Sequence, residues 1–397
     1  MVLMDDGEKE EEGDEEKVSV ILHASDQRDY EALKRLASSE KGFVRDDVRR
    51  SVWPVLLGCD STDDPPPVDI HHLPQHPDED QVSLDVDRSF VYYPQDDSQP
   101  TRDERKRQLS HVILAILRRH PHLHYFQGYH DILQVLLLVL GVDLAVLVGT
   151  RLSLLRIRDF MLPTMSGTEA HLHLLPAILR ASDATLYAHL ARVHPFFALA
   201  ATLTLYAHEV PDYRDIARLF DFLLANEAVV SLYLFATVIQ SRKAELLDVA
   251  GPDEPDVLHS ILSKLPQPVD WEVLIRDTVS LFHHQPPERL PDHVWFFVSS
   301  HSVLKTTRSL RALSQQTLHD GQRSFAKEAA EIRRRDIFKA RRRALERLIR
   351  RHRRPVLWSA VAVVVALGGM YVGRNSGSSS LLNTLARRVV EMCQRHL

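Results

Sequence analysis

Glycine and cysteine are both scarce in this chain of 397 residues, which holds 14 Gly and two Cys. Alternating runs of Val, Ile and Thr are nearly absent as well, whereas Leu, Ala, Arg and Glu dominate, so the sequence predicts an all-α fold. Cys59 and Cys393 lie far apart and provide neither a metal-binding spacing nor a disulfide framework. A reducing compartment is therefore expected for the main domain.

The motifs of several enzyme classes are missing. The sequence contains no G-x-x-x-x-G-K-[ST], no G-x-G-x-x-G, no G-x-S-x-G and no H-E-x-x-H. The chain is therefore not expected to bind a nucleotide or a catalytic metal by itself, or to present a nucleophilic serine. His130 and Asp131 lie beside a tyrosine, but without a nucleophile motif we interpret them as packing and capping residues.

The N-terminus is strongly acidic. Residues 1–17 carry nine Asp or Glu against two Lys, with almost nothing apolar to bury, and we expect residues 1–24 to be disordered. No charged segment followed by an apolar run is present, so no cleavable signal peptide is expected. Synthesis should begin in the cytosol, and the N-terminal domain should remain there.

Two short segments each place one polar side chain within an apolar frame. Arg88 ends the run Val82-Ser-Leu-Asp85-Val-Asp-Arg88, and Gln127 lies between Phe126 and Gly128. Neither side chain is a nucleophile. Arginine and glutamine suit a reaction in which charge spreads over phosphate oxygens and a water must be aligned, as in hydrolysis of GTP or ATP. The nucleotide is expected to arrive with a partner.

These segments resemble motifs of the TBC-domain GTPase-activating proteins of Rab GTPases. The R-x-x-x-W motif corresponds to Arg49-Arg-Ser-Val-Trp53, I-x-x-D-x-x-R to residues 82–88, and Y-x-Q-G to residues 125–128. A segment at 217–224 is similar to the family's apolar-Asp block, and the likeness covers roughly residues 42–245.

The sequence departs from the family pattern at two places. Val82 replaces the usual isoleucine, which is a conservative change, and Tyr129-His130 stands where many members carry Met after Q-G.

The resemblance implies roles for six residues. Arg88 would neutralise charge on the γ-phosphate, and Gln127 would orient the attacking water. Hydrogen bonds from Asp85 and Arg49 would support these two segments, with Tyr125 and Gly128 also in supporting positions. GTP and Mg²⁺ would belong to the Rab partner, and the chain would need no cofactor of its own.

Three of these roles have a simpler alternative. Gln127 could merely cap a helix, and Gly128 could merely relieve a turn rather than allow close approach to a partner's nucleotide. Asp85 lies one turn before Arg88 if residues 82–88 are helical, and it could form an ordinary surface ion pair worth less than about 1 kcal/mol.

Helical periodicity predicts a two-lobed TBC domain over residues 25–312. The long apolar stretch 132–149 is interrupted at Gly141 and Asp143, so we interpret it as two buried helices rather than a membrane span. Helices are predicted at 213–225, 256–264, 269–282 and 290–312, among others, with the Pro-rich stretch 60–80 as a surface loop.

The C-terminal region predicts a membrane anchor. Residues 313–354 form a basic amphipathic juxtamembrane helix, and residues 355–373 are nineteen uncharged residues, enough for about 28 Å of transmembrane helix. Basic residues are concentrated before this span, so residues 374–397 should be lumenal. The short span fits the thin bilayer of the endoplasmic reticulum or early Golgi.

The sequence thus predicts a membrane-anchored Rab GTPase-activating protein. Within the family the resemblance is to a membrane-anchored branch, which implies a Rab one-like substrate of the early secretory pathway. An alternative is a catalytically silent tether that binds a small GTPase, although a tether would not need Arg88 together with Gln127. A calmodulin-regulated anchor would rest on the basic helix alone. No nucleic-acid partner is expected.

Overall fold

The computed structural model describes residues 6–59, 70–95, 98–249 and 251–375, with the side chains of residues 6–10, 71 and 348–375 outside that description. Within these ranges all regular secondary structure is helical, as predicted. The chain divides into two compact units, Met1–Ala329 and Ala330–Leu397.

The first unit begins with seven helices in the described chain. They are α1 (Asp6–Asp26), α2 (Tyr30–Ser38), α3 (Asp46–Leu57), α4 (Glu79–Asp87), α5 (Gln99–Arg119), α6 (Tyr129–Leu140) and α7 (Val142–Leu155). The next group is α8 (Ser166–Leu172), α9 (Leu174–Ser182), α10 (Ala184–His189), α11 (Leu199–Leu203), α12 (Tyr213–Ala225), α13 (Val230–Ser241) and α14 (Lys243–Val249). The last are α15 (Pro255–Leu262), α16 (Trp271–His284), α17 (Val294–Phe297), α18 (Val303–Thr306), α19 (Leu310–Ser314) and α20 (Leu318–Asn375).

The acidic N-terminus is helical from Asp6 onward, so the prediction of disorder over residues 1–24 was wrong for its described part. Val18, Ile21 and Ala24 are buried where α1 packs against α2 and α3. These apolar residues at the C-terminal end of α1 anchor the helix, and before them Asp14 and Glu15 form ion pairs with Lys41 and Arg45. Residues 1–5 lie outside the described residues.

The apolar stretch 132–149 forms two buried helices, as predicted. α6 ends and α7 begins at Gly141, whose φ of 75° favours glycine. α5, α6 and α7 pack against one another, and α6 is buried on nearly all sides. This group positions the residues of the candidate site, because the loop between α5 and α6 contains Gln127.

The N-terminal and C-terminal helices of the first unit pack against one another. α12 packs against α2 and α3, and α16 packs against α2 as well as α13, so the C-terminal helices share a core with the N-terminal ones. The unit also extends past the expected boundary at residue 312. Leu318, Phe325 and Glu328, all in the first turns of α20, are buried.

The predicted helix over 290–312 is divided into short pieces. Asp292 and His293 adopt positive φ before α17, and Ser302 and Ser309 accept hydrogen bonds from Leu304 and Ala312 as N-caps of α18 and α19. These serine caps compete with helix continuation, because their side chains satisfy backbone N–H groups that begin a new helix.

α20 is a continuous helix that includes the expected basic segment. Residues 333–347 are exposed along it. Residues 355–373 are helical, but their side chains lie outside the described residues, as do all of residues 376–397. Among the residues whose side chains the structure describes, no helix combines the length and apolar character required to cross a membrane.

Candidate active site

Arg88 and Gln127 line the same cleft, which has a volume of about 890 Å³. Both side chains are exposed. In the part of the chain that the structure describes, neither side chain makes a hydrogen bond or ion pair within the protein. The structure thus brings together the two residues that the motifs single out, although they lie 39 positions apart in sequence.

Arg88 is held at the end of α4, which has one buried face. It is the C-cap residue of α4. Its N–H donates to the carbonyl oxygen of Asp85 at 3.1 Å, and the N–H of Ser89 donates to that of Val86 at 3.0 Å. Val82, Asp85 and Val86 form the buried face of α4. Their burial fixes the helix, so the exposed guanidinium extends from a rigid base.

The chain after Arg88 turns sharply. Phe90 has a φ of 60° and is buried, and its N–H donates to Gln134 Oε1 at 3.0 Å. The two residues that follow, Val91 and Tyr92, are 72% and 53% exposed on the wall of the cleft. A positive φ in a bulky residue is costly, and the buried hydrogen bond to Gln134 offsets that cost.

Asp85 joins the Arg88 helix to the Gln127 loop. Its Oδ2 accepts a hydrogen bond from the Tyr125 hydroxyl at 2.9 Å, and its Oδ1 accepts one from Gln81 Nε2 at 3.0 Å. Asp85 is 2% exposed, so it does not form a surface ion pair. Burial, with the nearby Asp85 carboxylate, raises the pKa of Tyr125, so the hydroxyl remains protonated and continues to donate.

Position 128 requires a glycine because of its backbone conformation and its contact with Thr204. It is the N-cap residue of α6 with a φ of 99°, and a Cβ added there would lie 2.4 Å from Thr204 Cγ2. Gly128 therefore both permits the left-handed turn and lets the loop pack on Thr204. Since Gly128 is the N-cap and no side chain caps α6, Gln127 does not cap this helix.

Arg49 lies away from the cleft. Its Nε donates to both oxygens of Asp221 at 3.1 Å, and its Nη1 pairs with Asp46 at 2.8 Å. Asp221 also accepts from Trp53 Nε1 at 2.9 Å and from the Phe43 N–H at 3.0 Å. The expectation that Arg49 bonds directly to the Arg88 or Gln127 segments was wrong, because its guanidinium is used to join α3 to α12.

The cleft also contains residues that the sequence did not identify as functional. Gln134 fixes Phe90, and His208 Nδ1 lies 3.0 Å from Asp131 Oδ2. Gln134 is the one polar residue within the apolar run 132–140, which is a signal that could have indicated it. His208 gives no such local signal, since it is brought to the cleft from a turn 77 residues after Asp131.

Comparison with known proteins identifies the class to which this site and fold belong. Residues 46–247 match the family described as the Rab-GTPase-TBC domain, and the chain belongs to that family. The matched region includes α3, α4 and the Gln127 loop.

Particular relatives are similar over most of the chain. TBC1 domain family member 20 of Bos taurus is 40% identical over 279 residues, covering 69% of this chain and 68% of the relative. The GTPase-activating protein gyp10 of Schizosaccharomyces pombe is 32% identical over 292 residues, covering 70% of this chain and 75% of the relative.

A solved structure agrees in fold. The flagellar RabGAP TBC domain of Chlamydomonas superposes with a TM-score of 0.51 at 13% identity, covering 71% of this chain and 97% of that domain.

Proposed function

We propose that this chain accelerates GTP hydrolysis by a Rab-family GTPase, into whose nucleotide site it inserts Arg88 and Gln127. The observation that supports the proposal is that both side chains are exposed and without partners within the described protein, yet extend from rigid supports into one cleft. Groups that act on a partner's substrate need this arrangement, because any internal partner would compete with the nucleotide.

Arg88 and Gln127 have different chemical tasks. The guanidinium of Arg88 carries a permanent charge and a planar set of donors, which suits the developing charge on the γ-phosphate oxygens. The amide of Gln127 both donates and accepts, so it can align the attacking water. GTP and Mg²⁺ come with the partner in this proposal.

The proposed substrate is a Rab one-like GTPase of the early secretory pathway. The similarity to TBC1 domain family member 20 supports the assignment to this branch of the family. A panel of purified GTP-loaded Rabs, each mixed with the full-length protein, tests it. The proposal predicts stimulation of the Rab one-like member above all others. Stimulation of no Rab would overturn the activity, and a preference for an unrelated Rab would overturn the substrate.

We further propose that residues 355–373 anchor the chain in the membrane of the endoplasmic reticulum or early Golgi. Nineteen residues without a charge support this proposal, as do the twelve Lys or Arg against two acids in residues 333–354. The basic side of a span remains cytosolic, which leaves the TBC domain where Rab proteins act.

A further inference from the structure

His130 lies within a group of close polar contacts that joins three segments of the cleft. Its Nδ1 is 3.1 Å from the Tyr125 hydroxyl, and its Nε2 is 3.2 Å from Asp131 Oδ1. The Tyr125 hydroxyl bonds to Asp85 at 2.9 Å, and the second oxygen of Asp131 lies 3.0 Å from His208 Nδ1. All five residues line the cleft that contains Arg88 and Gln127.

The chemistry of these groups sets the direction of the bonds. The Tyr125 hydroxyl has one proton, and the Asp85 carboxylate can only accept, so that proton points to Asp85. His130 Nδ1 must then carry a proton and donate it to the Tyr125 oxygen. His130 is 8% exposed and Asp85 2% exposed, so water has little access to replace either bond.

The carboxylate of Asp131 lies between His130 and the far wall of the cleft. Asp131 lies between His130 and His208, and His208 belongs to the turn that begins at Thr204, on which Gly128 packs. The Asp131 carboxylate accepts a hydrogen bond from His208 and raises the pKa of that histidine. The Gln127 loop is therefore held from α4 on one side and from the Thr204 turn on the other.

We propose that His130 is a positioning residue that fixes Gln127 relative to Arg88 by holding the Tyr125 hydroxyl on Asp85. This inference rests on the proposed function, since it concerns the geometry of the same two side chains. His130 does not touch the nucleotide. It acts through Tyr125, and its loss weakens the hydrogen bond between Tyr125 and Asp85 that joins the Arg88 helix to the Gln127 loop.

The first test compares His130→Phe with His130→Asn in the full-length protein, by single-turnover GTP hydrolysis over a range of activator concentrations. Phe retains an aromatic ring but removes the Nδ1–H donor, whereas the Asn amide can still donate to Tyr125. We expect Phe to lower the maximal stimulated rate about tenfold or more while the half-saturating concentration changes little, because a misplaced catalytic group affects the reaction rather than binding. Asn should restore most of that rate.

Two comparisons separate positioning from general damage to the fold. His120 is also buried and bonds to Gln322 at 3.1 Å, away from the cleft, so His120→Asn reports the effect of losing a buried histidine. It should leave the maximal rate unchanged. Tyr125→Phe should reproduce the His130→Phe loss, and the double variant should lose no more than either alone, because both changes break one connection.

The outcomes also distinguish this inference from the proposed function. If the wild-type protein stimulates no Rab, the proposed function fails. If the wild type stimulates a Rab and His130→Phe retains the full maximal rate, or the Tyr125 and His130 effects simply multiply, the positioning role of His130 is wrong while the activity stands.

Discussion

Arg88 is exposed and has no partner among the described residues, so its replacement removes a charge from the cleft without removing an internal contact. An arginine supplied in trans is worth about 10³ to 10⁵ in rate, roughly 4–7 kcal/mol. Arg88→Ala should abolish stimulated hydrolysis at an unchanged melting temperature. Arg88→Lys should lose nearly as much, because the planar set of donors is gone. Full stimulation by a folded Arg88→Ala protein would show that another group neutralises the phosphate.

Arg49 should behave in the opposite way. Its guanidinium compensates the fully buried carboxylate of Asp221, and removing one partner of such a pair costs about 3–5 kcal/mol. Arg49→Ala should therefore lower the free energy of unfolding, measured by urea denaturation, while the stimulated rate per folded molecule remains close to that of the wild type. A stable Arg49→Ala protein with a large loss of rate would return Arg49 to a role at the cleft.

At the scale of elements, local sequence was sufficient to predict a helix where a capping residue marks its start. α12 spans Tyr213–Ala225, the predicted 213–225, because Asp212 caps it and its apolar residues repeat at helical spacing. Local sequence failed for α1, where a few buried residues at one end stabilise a long acidic helix. It also failed at 290–312, where serine caps start new helices.

The candidate site was predictable only in part. Arg88 and Gln127 are found by their motifs, and the pairing of Asp85 with the Gln127 loop agrees with the supporting role that the resemblance implied. The contributions of Thr204 and His208 were not predictable, because they depend on how a distant turn packs against α6. No local pattern in the sequence marks such a contact.

The segment after α4 provides a prediction about binding. The turn at Phe90 leaves Val91 exposed on the cleft wall, next to the residue proposed to enter the partner. Val91→Asp should raise the half-saturating concentration about tenfold with little change in the maximal rate, since it removes apolar contact that is equal in the ground and transition states. Val257 is 44% exposed and lies outside the cleft, so Val257→Asp is the matched control. Equal effects of the two changes would exclude a specific contact at Val91.

The whole molecule combines the TBC domain with the proposed anchor, and the orientation of that anchor can be tested. Twelve basic residues precede the span within 22 residues and four follow it, so the N-terminal side should remain cytosolic. A glycosylation acceptor engineered after Arg374 should be modified in cells, and one placed near the N-terminus should not. Modification of the N-terminal acceptor instead would reverse the proposed topology.

The central claim is that the protein supplies both the charge and the water-orienting amide to its partner. In GTPases such as Ras the water is oriented by the GTPase's own glutamine, so replacing that glutamine normally defeats an activator that supplies only arginine. If Gln127 provides the amide, a Rab whose own glutamine is changed to leucine should remain substantially stimulated. Gln127→Ala should lose most activity even toward the wild-type Rab.

Single-turnover GTP hydrolysis with the four combinations of wild-type and mutant partners measures both effects in one experiment. We expect stimulation to follow Gln127 and not the glutamine of the Rab. Complete loss with the Rab mutant, together with full activity of Gln127→Ala, would contradict it and leave Arg88 as the single contributed group.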